Sequence, residues 1–184
     1  MKIVFYRALL TQCRELTPTE RVIYSFLISK SLLSLGDFFD SDGSCMDMSS
    51  LYESIEDDNW LELCSITNSK IAQELCISRQ TVIRCVCRLK RLGYISHDKL
   101  FVGVVLLRSG YFELHNIDVL NGELLIFYSY IKDKSKKYGG CVDTYKSVLA
   151  EQLNTTKVSI TKLLNRLYEL GFAKRLEDGT LMIK

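Results

Sequence analysis

The chain has 184 residues, 47% of them hydrophobic and 25% charged, with a net charge of +2. That apolar share supplies real cores and excludes a disordered chain, while the length allows one domain or two small ones. With no run of about 18 uncharged apolar residues, no transmembrane helix is expected; Met1 to Leu10 also lacks the long apolar region and cleavage site of a signal peptide.

In chain order, the first feature is an apolar segment (Ile3, Val4, Phe5, Tyr6, Leu9, Leu10) that either packs on its own chain or makes a homodimer. Thr17-Pro18-Thr19-Glu20 reads as a capping box with proline in the first turn, opening a helix over Thr19 to Leu33. Residues 34–64 then carry nine acids and no Lys or Arg, so the rest of the chain carries +11 against +2 for the whole. A basic body with one acidic segment suggests a polyanionic partner. Within the segment, Met48 to Ile55 suits a short helix, and Trp60 to Ser65 alternates like a strand. Its acids are expected to contact a protein partner or to shield the basic region, unless the segment is a plain solvated loop. A further helix is expected from Glu123 to about Lys137, ended by Gly139-Gly140.

The most informative feature is a repeat. Ile71 to Ile95 (IAQELCISRQTVIRCVCRLKRLGYI) aligns without a gap on Leu149 to Ala173 (LAEQLNTTKVSITKLLNRLYELGFA), 78 residues on. Each copy reads as a short helix, a break, and a longer helix, preceded by one of the two helices expected over Thr19 to Leu33 and Glu123 to about Lys137. In the first, Thr67, Asn68 or Ser69 caps the short helix and Ser78 the longer one. Val82, Cys85, Val86, Leu89 and Leu92 form the buried stripe of the longer helix, and Gly93 closes it. In the second, Asp143 or Thr144 caps a helix with apolar face Val148, Leu149 and Leu153. Asn154 turns the chain, Thr156 caps the longer helix, and Ile160, Leu163, Leu164, Leu167 and Leu170 are its stripe, closed by Gly171. Extended runs follow each copy, with a strong hairpin signal at Asp178-Gly179.

These two stretches resemble the winged helix-turn-helix family of DNA-binding domains. The tandem arrangement is similar to bacterial transcription regulators and to plasmid or mobile-element replication initiators. Expected, therefore, is a mainly α chain with small β-hairpin wings: a first winged-helix domain over 1–118 with the acidic insert 34–64, and a second over 119–184. Cys76 stands where the family often has glycine, so a looser first turn is expected. The resemblance implies that each longer helix enters the major groove while the hairpin touches the backbone or minor groove.

The residues support a DNA role on their own terms. With Val82 and Leu89 facing the core, Gln80, Arg84, Cys87, Arg88 and Arg91 share the opposite face, and Ser78 to Gly93 holds five basic residues and no acid. Arg pairs with guanine and Gln with adenine in the major groove. Ser78, Arg79 and Thr81 suit phosphates at the helix start. In the second copy the candidates are Thr156, Lys157, Ser159, Lys162, Asn165 and Arg166; Glu169 replaces Arg91, so weaker binding is expected there. The expected function is sequence-specific binding of double-stranded DNA in transcriptional regulation; the alternatives are a replication initiator and an assembly module that binds no DNA. Seven cysteines without a CxxC pair, and two histidines (His97 and His115), argue for a reducing cytoplasm, against a metal site or cofactor, and, with no nucleotide-binding or hydrolase motif, against an enzyme.

Overall fold

The computed structural model describes residues 3–34, 59–115, 118–120, 122–142 and 145–184. Most of the acidic segment, including the expected helix at Met48 to Ile55, lies outside them. The described chain is mainly helical, with small antiparallel sheets, and none of its helices is long and apolar enough to cross a membrane.

The first half runs β1 (Ile3–Tyr6), α1 (Ala8–Thr11), α2 (Pro18–Ser34), β2 (Trp60–Glu62), α3 (Asn68–Glu74), α4 (Arg79–Arg91), β3 (Ile95–Ser96) and β4 (Lys99–Phe101). The second runs α5 (Val104–Arg108), β5 (Tyr111–Leu114), α6 (Gly122–Ser135), a 3-10 turn (Lys136–Tyr138), β6 (Cys141–Val142), α7 (Lys146–Gln152), α8 (Lys157–Glu169), β7 (Ala173–Arg175) and β8 (Leu181–Ile183). Helices α3 and α7 have 7 residues each, α4 and α8 have 13 each, and both pairs obey the 78-residue offset.

Local chemistry places these boundaries. The capping box forms: the Thr17 amide donates to Glu20 Oε2 at 2.7 Å, and the Glu20 amide to Thr17 Oγ1 at 3.4 Å. Ser78 and Thr156 cap α4 and α8, each accepting an amide at 3.1 Å, and Thr67 caps α3. Gly93 (φ +82°) and Gly171 (φ +76°) end the longer helices in the left-handed conformation. The expected cap on α7 does not hold in that form. Its cap residue is Tyr145, with no side-chain hydrogen bond, and Asp143 and Thr144 lie outside the described residues. The looser turn expected at Cys76 is corrected as well: Cys76 (φ 53°) and Asn154 (φ 50°) adopt the same left-handed bend. Cys76 Sγ donates to Asp118 Oδ1 at 2.9 Å, and Asn154 Nδ2 to the Leu10 carbonyl at 2.9 Å. Two stripe positions also face outward: Leu92 is 39% exposed as the C-cap of α4, and Val148 43% exposed early in α7.

Helices α2 and α6 are apolar nearly all round and lie at the centre, as such helices must. Their surroundings repeat. Tyr24 donates its hydroxyl to the Phe101 carbonyl, and Tyr128 to that of Lys184. The Tyr24 ring meets Tyr94 at 5.0 Å, and Tyr128 meets Phe172 at 5.3 Å. Lys30 pairs with Glu74 and lies over Phe26; Lys134 bonds Gln152 and lies over Tyr130. The two helices, expected to precede the two helix pairs, are therefore equivalent at an offset of 104 residues, a register too diverged to see in the sequence.

Each half carries a three-stranded sheet, β2-β4-β3 and β6-β8-β7. The strand expected at Trp60 to Ser65 forms over Trp60–Glu62 and pairs with β4; its counterpart β6 has only two residues. Asp178 and Gly179 (φ +87°) make the β7–β8 turn, where the Thr180 amide donates to Asp178 Oδ1 at 2.8 Å. The N-terminal segment packs on its own chain: β1 pairs antiparallel with β5, Ile3 opposite Leu114 and Tyr6 opposite Tyr111. Strand β5 precedes α6 as β1 precedes α2, whereas the expected boundary at residue 118 separates β5 from α6. A single buried cluster runs through both halves.

Candidate nucleic-acid interface

The candidate surface consists of the outward faces of α4 and α8 with the turns that lead into them. On α4, Val82, Cys85 and Leu89 are buried and fix the orientation of the helix. Ser78, Arg79, Gln80, Arg84, Cys87, Lys90 and Arg91 are exposed, and Thr81 is half-buried. Among the described residues, Arg79, Arg84, Lys90 and Arg91 enter no ion pair. A row of guanidinium and ammonium groups along 13 residues, without an ion pair among the described residues, makes a local positive field that is little screened at close range.

Arg88 stands apart from this row. Its guanidinium turns inward, donating to both carboxylate oxygens of Glu20 at 3.1 and 3.2 Å and to the Glu15 carbonyl at 2.8 Å. The Glu20 side chain is only 5% exposed. Arg88 thus fastens α4 to α2 and is not presented to a ligand as Arg84 is. Next to it, Tyr94 donates to the Glu15 side chain; that hydrogen bond holds the Glu15 carboxyl below its usual range, and burial pushes the Tyr94 hydroxyl up. The base of α4 is therefore a fixed polar clamp, a role that sequence spacing did not reveal.

On α8, Ile160, Leu164 and Leu167 are buried. Thr156, Lys157, Lys162, Asn165 and Arg166 are exposed, and Ser159 is half-buried. Arg166, the counterpart of Arg88, has no buried carboxylate to meet, because Leu124 occupies the position equivalent to Glu20. It pairs with Glu169 on its own surface at 2.8 Å. The α8 face is therefore less positive than that of α4. Val158, 65% exposed, stands where α4 has Gln80.

Buried Cys85 has its thiol pushed up by burial, which disfavours the thiolate. Among the described residues no three His, Cys, Asp or Glu side chains converge as a metal site would require. Set against known protein families, curated proteins and solved structures, the chain gives no significant match.

Proposed function

We propose that the chain binds double-stranded DNA sequence-specifically through two tandem winged helix-turn-helix units and acts as a transcription regulator. The observation that carries this reading is the exposed basic face of α4, whose Arg79, Arg84, Lys90 and Arg91 enter no ion pair among the described residues. That helix follows a left-handed turn and a serine cap, and a hairpin of β3 and β4 comes after it. The same order recurs in α7, α8, β7 and β8. A solvated helix face needs no such order, and its charges usually alternate in sign. In this reading, Arg84, Arg91 and Gln80 read base edges. Ser78, Arg79 and Thr81 hold phosphates with the free amides at the helix start. The β7–β8 hairpin adds exposed Lys174 and Arg175.

The test is binding of a 30-base-pair duplex followed by fluorescence anisotropy across a salt series. Phosphate contacts release counterions, so log affinity is expected to fall with log salt by about 0.9 per phosphate neutralised. Arg84→Ala/Arg91→Ala is expected to weaken binding and flatten the slope while leaving the fold intact. Negligible affinity at low salt would reject the reading. Arg88 is unsuitable for this test, since its removal disturbs the clamp on Glu20.

A further inference from the structure

We infer that one chain recognises an imperfect inverted repeat, its two unequal half-sites facing each other across a dyad supplied by the fold itself. The inference rests on the DNA-binding reading above and adds the orientation and asymmetry of the target.

The relation between the halves is a rotation. Strands β1 and β5 hold equivalent places before α2 and α6, and they pair antiparallel. Exchanging the halves maps Ile3 to Tyr111 and Tyr6 to Leu114. The pair Ile3–Leu114 then becomes Tyr111–Tyr6, which is also in register. Units related by translation, as a direct repeat requires, would keep equivalent strands parallel. Antiparallel, self-mapping register is the mark of a two-fold axis.

Two further contacts lie on or around that axis. Pro18 and Gly122 are equivalent at the 104-residue offset, and they touch: a Cβ built on Gly122 would lie 3.7 Å from Pro18 Cβ. The turns are exchanged between halves. Asn154 of the second reaches the Leu10 carbonyl in α1, between β1 and α2, and Cys76 of the first reaches Asp118, between β5 and α6. A small cavity of about 70 Å3 at this junction is lined by Leu10, Pro18 and Arg21 from one half and by Glu123, Leu153 and Asn154 from the other. Both turns therefore flank the axis where α2 and α6 begin. The β1–β5 ribbon is tied further along these helices: the Val4 amide donates to Ser29 and the His115 amide to Ser129. The starts of α4 and α8, three residues past the turns, thus lie beside the axis at the end remote from the ribbon. A duplex laid across that end meets the two helices in opposite senses, and its half-sites must be inverted to match, since site symmetry mirrors protein symmetry.

The half-sites are unequal because the reading faces are. Gln80, Cys87 and Arg91 on α4 correspond to Val158, Asn165 and Glu169 on α8. Gln suits adenine, whereas an exposed valine suits the thymine methyl.

The experiment is selection of duplexes from a randomised library by the full chain, with native mass spectrometry of the complex. The expected result is two related, non-identical blocks in inverted orientation, bound by one chain. Reversing one block should lower affinity at least about tenfold, and Arg84→Ala should relax base preference in one block only. Blocks in direct repeat, or an inverted site that requires two chains each using one unit, would overturn the inference and leave DNA binding standing. No salt-dependent binding to the unselected library would overturn both.

Discussion

Arg84 and Arg88 stand one helical turn apart, and the structure gives them opposite environments. Arg84 points away from the buried stripe. Arg88 lies on the flank of the helix, roughly 90° from the centre of the stripe at 3.6 residues per turn, close enough to reach the buried Glu20. Removing one partner of such a pair leaves a carboxylate uncompensated, so Arg88→Ala is expected to destabilise the fold by about 3 kcal/mol in urea unfolding. Arg84→Ala should change stability by less than about 0.5 kcal/mol, with its effect confined to the proposed DNA binding. Equal losses of stability would remove the distinction. Spacing alone groups the two arginines, because the identity of a flank partner 68 residues away is a tertiary fact. His115 makes a second prediction at this scale. Burial and then Lys132 lower its pKa, and its Nε2 has no partner among the described residues. Between the unfolded value, about 6.5, and the lower folded value, the unfolded chain binds the extra proton, so stability falls as pH falls through that window. His115→Gln should therefore lose less melting temperature between pH 7.5 and 5.5 than the native chain.

At the level of elements, glycines with similar dihedral angles have different consequences. Gly171 (φ +76°) has open space around its missing Cβ, so Gly171→Ala should cost only left-handed strain, about 1 kcal/mol. Gly122 (φ +48°) would place a Cβ 3.2 Å from Thr19 Oγ1 where α2 and α6 meet, so Gly122→Ala should cost about 2 kcal/mol. Thermal unfolding of the two variants ranks them, and the reverse order would contradict the close packing of the helix starts. The elements legible in the sequence were those with local signals: the Thr17–Glu20 capping box, the Ser78 and Thr156 caps, the glycine stops and the Asp178-Gly179 turn. Strands β1 and β5 gave no such signal. Each has only four residues, too few for a clear alternation, and its partner lies more than 100 residues away. Strand β6 has two residues and no pattern to read. The place of α2 and α6 before each helix pair was legible, but their residue-by-residue register was hidden because both helices are buried almost all round, which removes the periodic stripe that made α4 and α8 visible.

For the molecule as a whole, the question is whether two units that share a centre can unfold separately. Phe5 of β1 and Phe112 of β5 stack with ring centroids 5.1 Å apart, both essentially buried, and Phe112 also meets Tyr130 of α6 at 5.4 Å. The buried cluster is continuous from Ile3 to Ile183, so little apolar surface separates one half from the other. Loss of a buried phenylalanine at this seam should cost about 3–5 kcal/mol. In a cooperative fold that cost lowers the midpoint for every part of the chain. Trp60, the one tryptophan of the chain, reports on the first half from β2, where it meets Phe101 at 5.4 Å. Phe112→Ala, formally in the second half, should therefore shift the Trp60 fluorescence transition and the far-UV circular dichroism transition together. An unmoved Trp60 transition beside an early loss of helix would mean that the halves unfold independently. Under the proposed DNA-binding reading, the axis would then be too soft to hold two recognition helices at a fixed separation, and a bound duplex would have to supply the order that the β1–β5 ribbon and the meeting of Pro18 with Gly122 are expected to provide in advance.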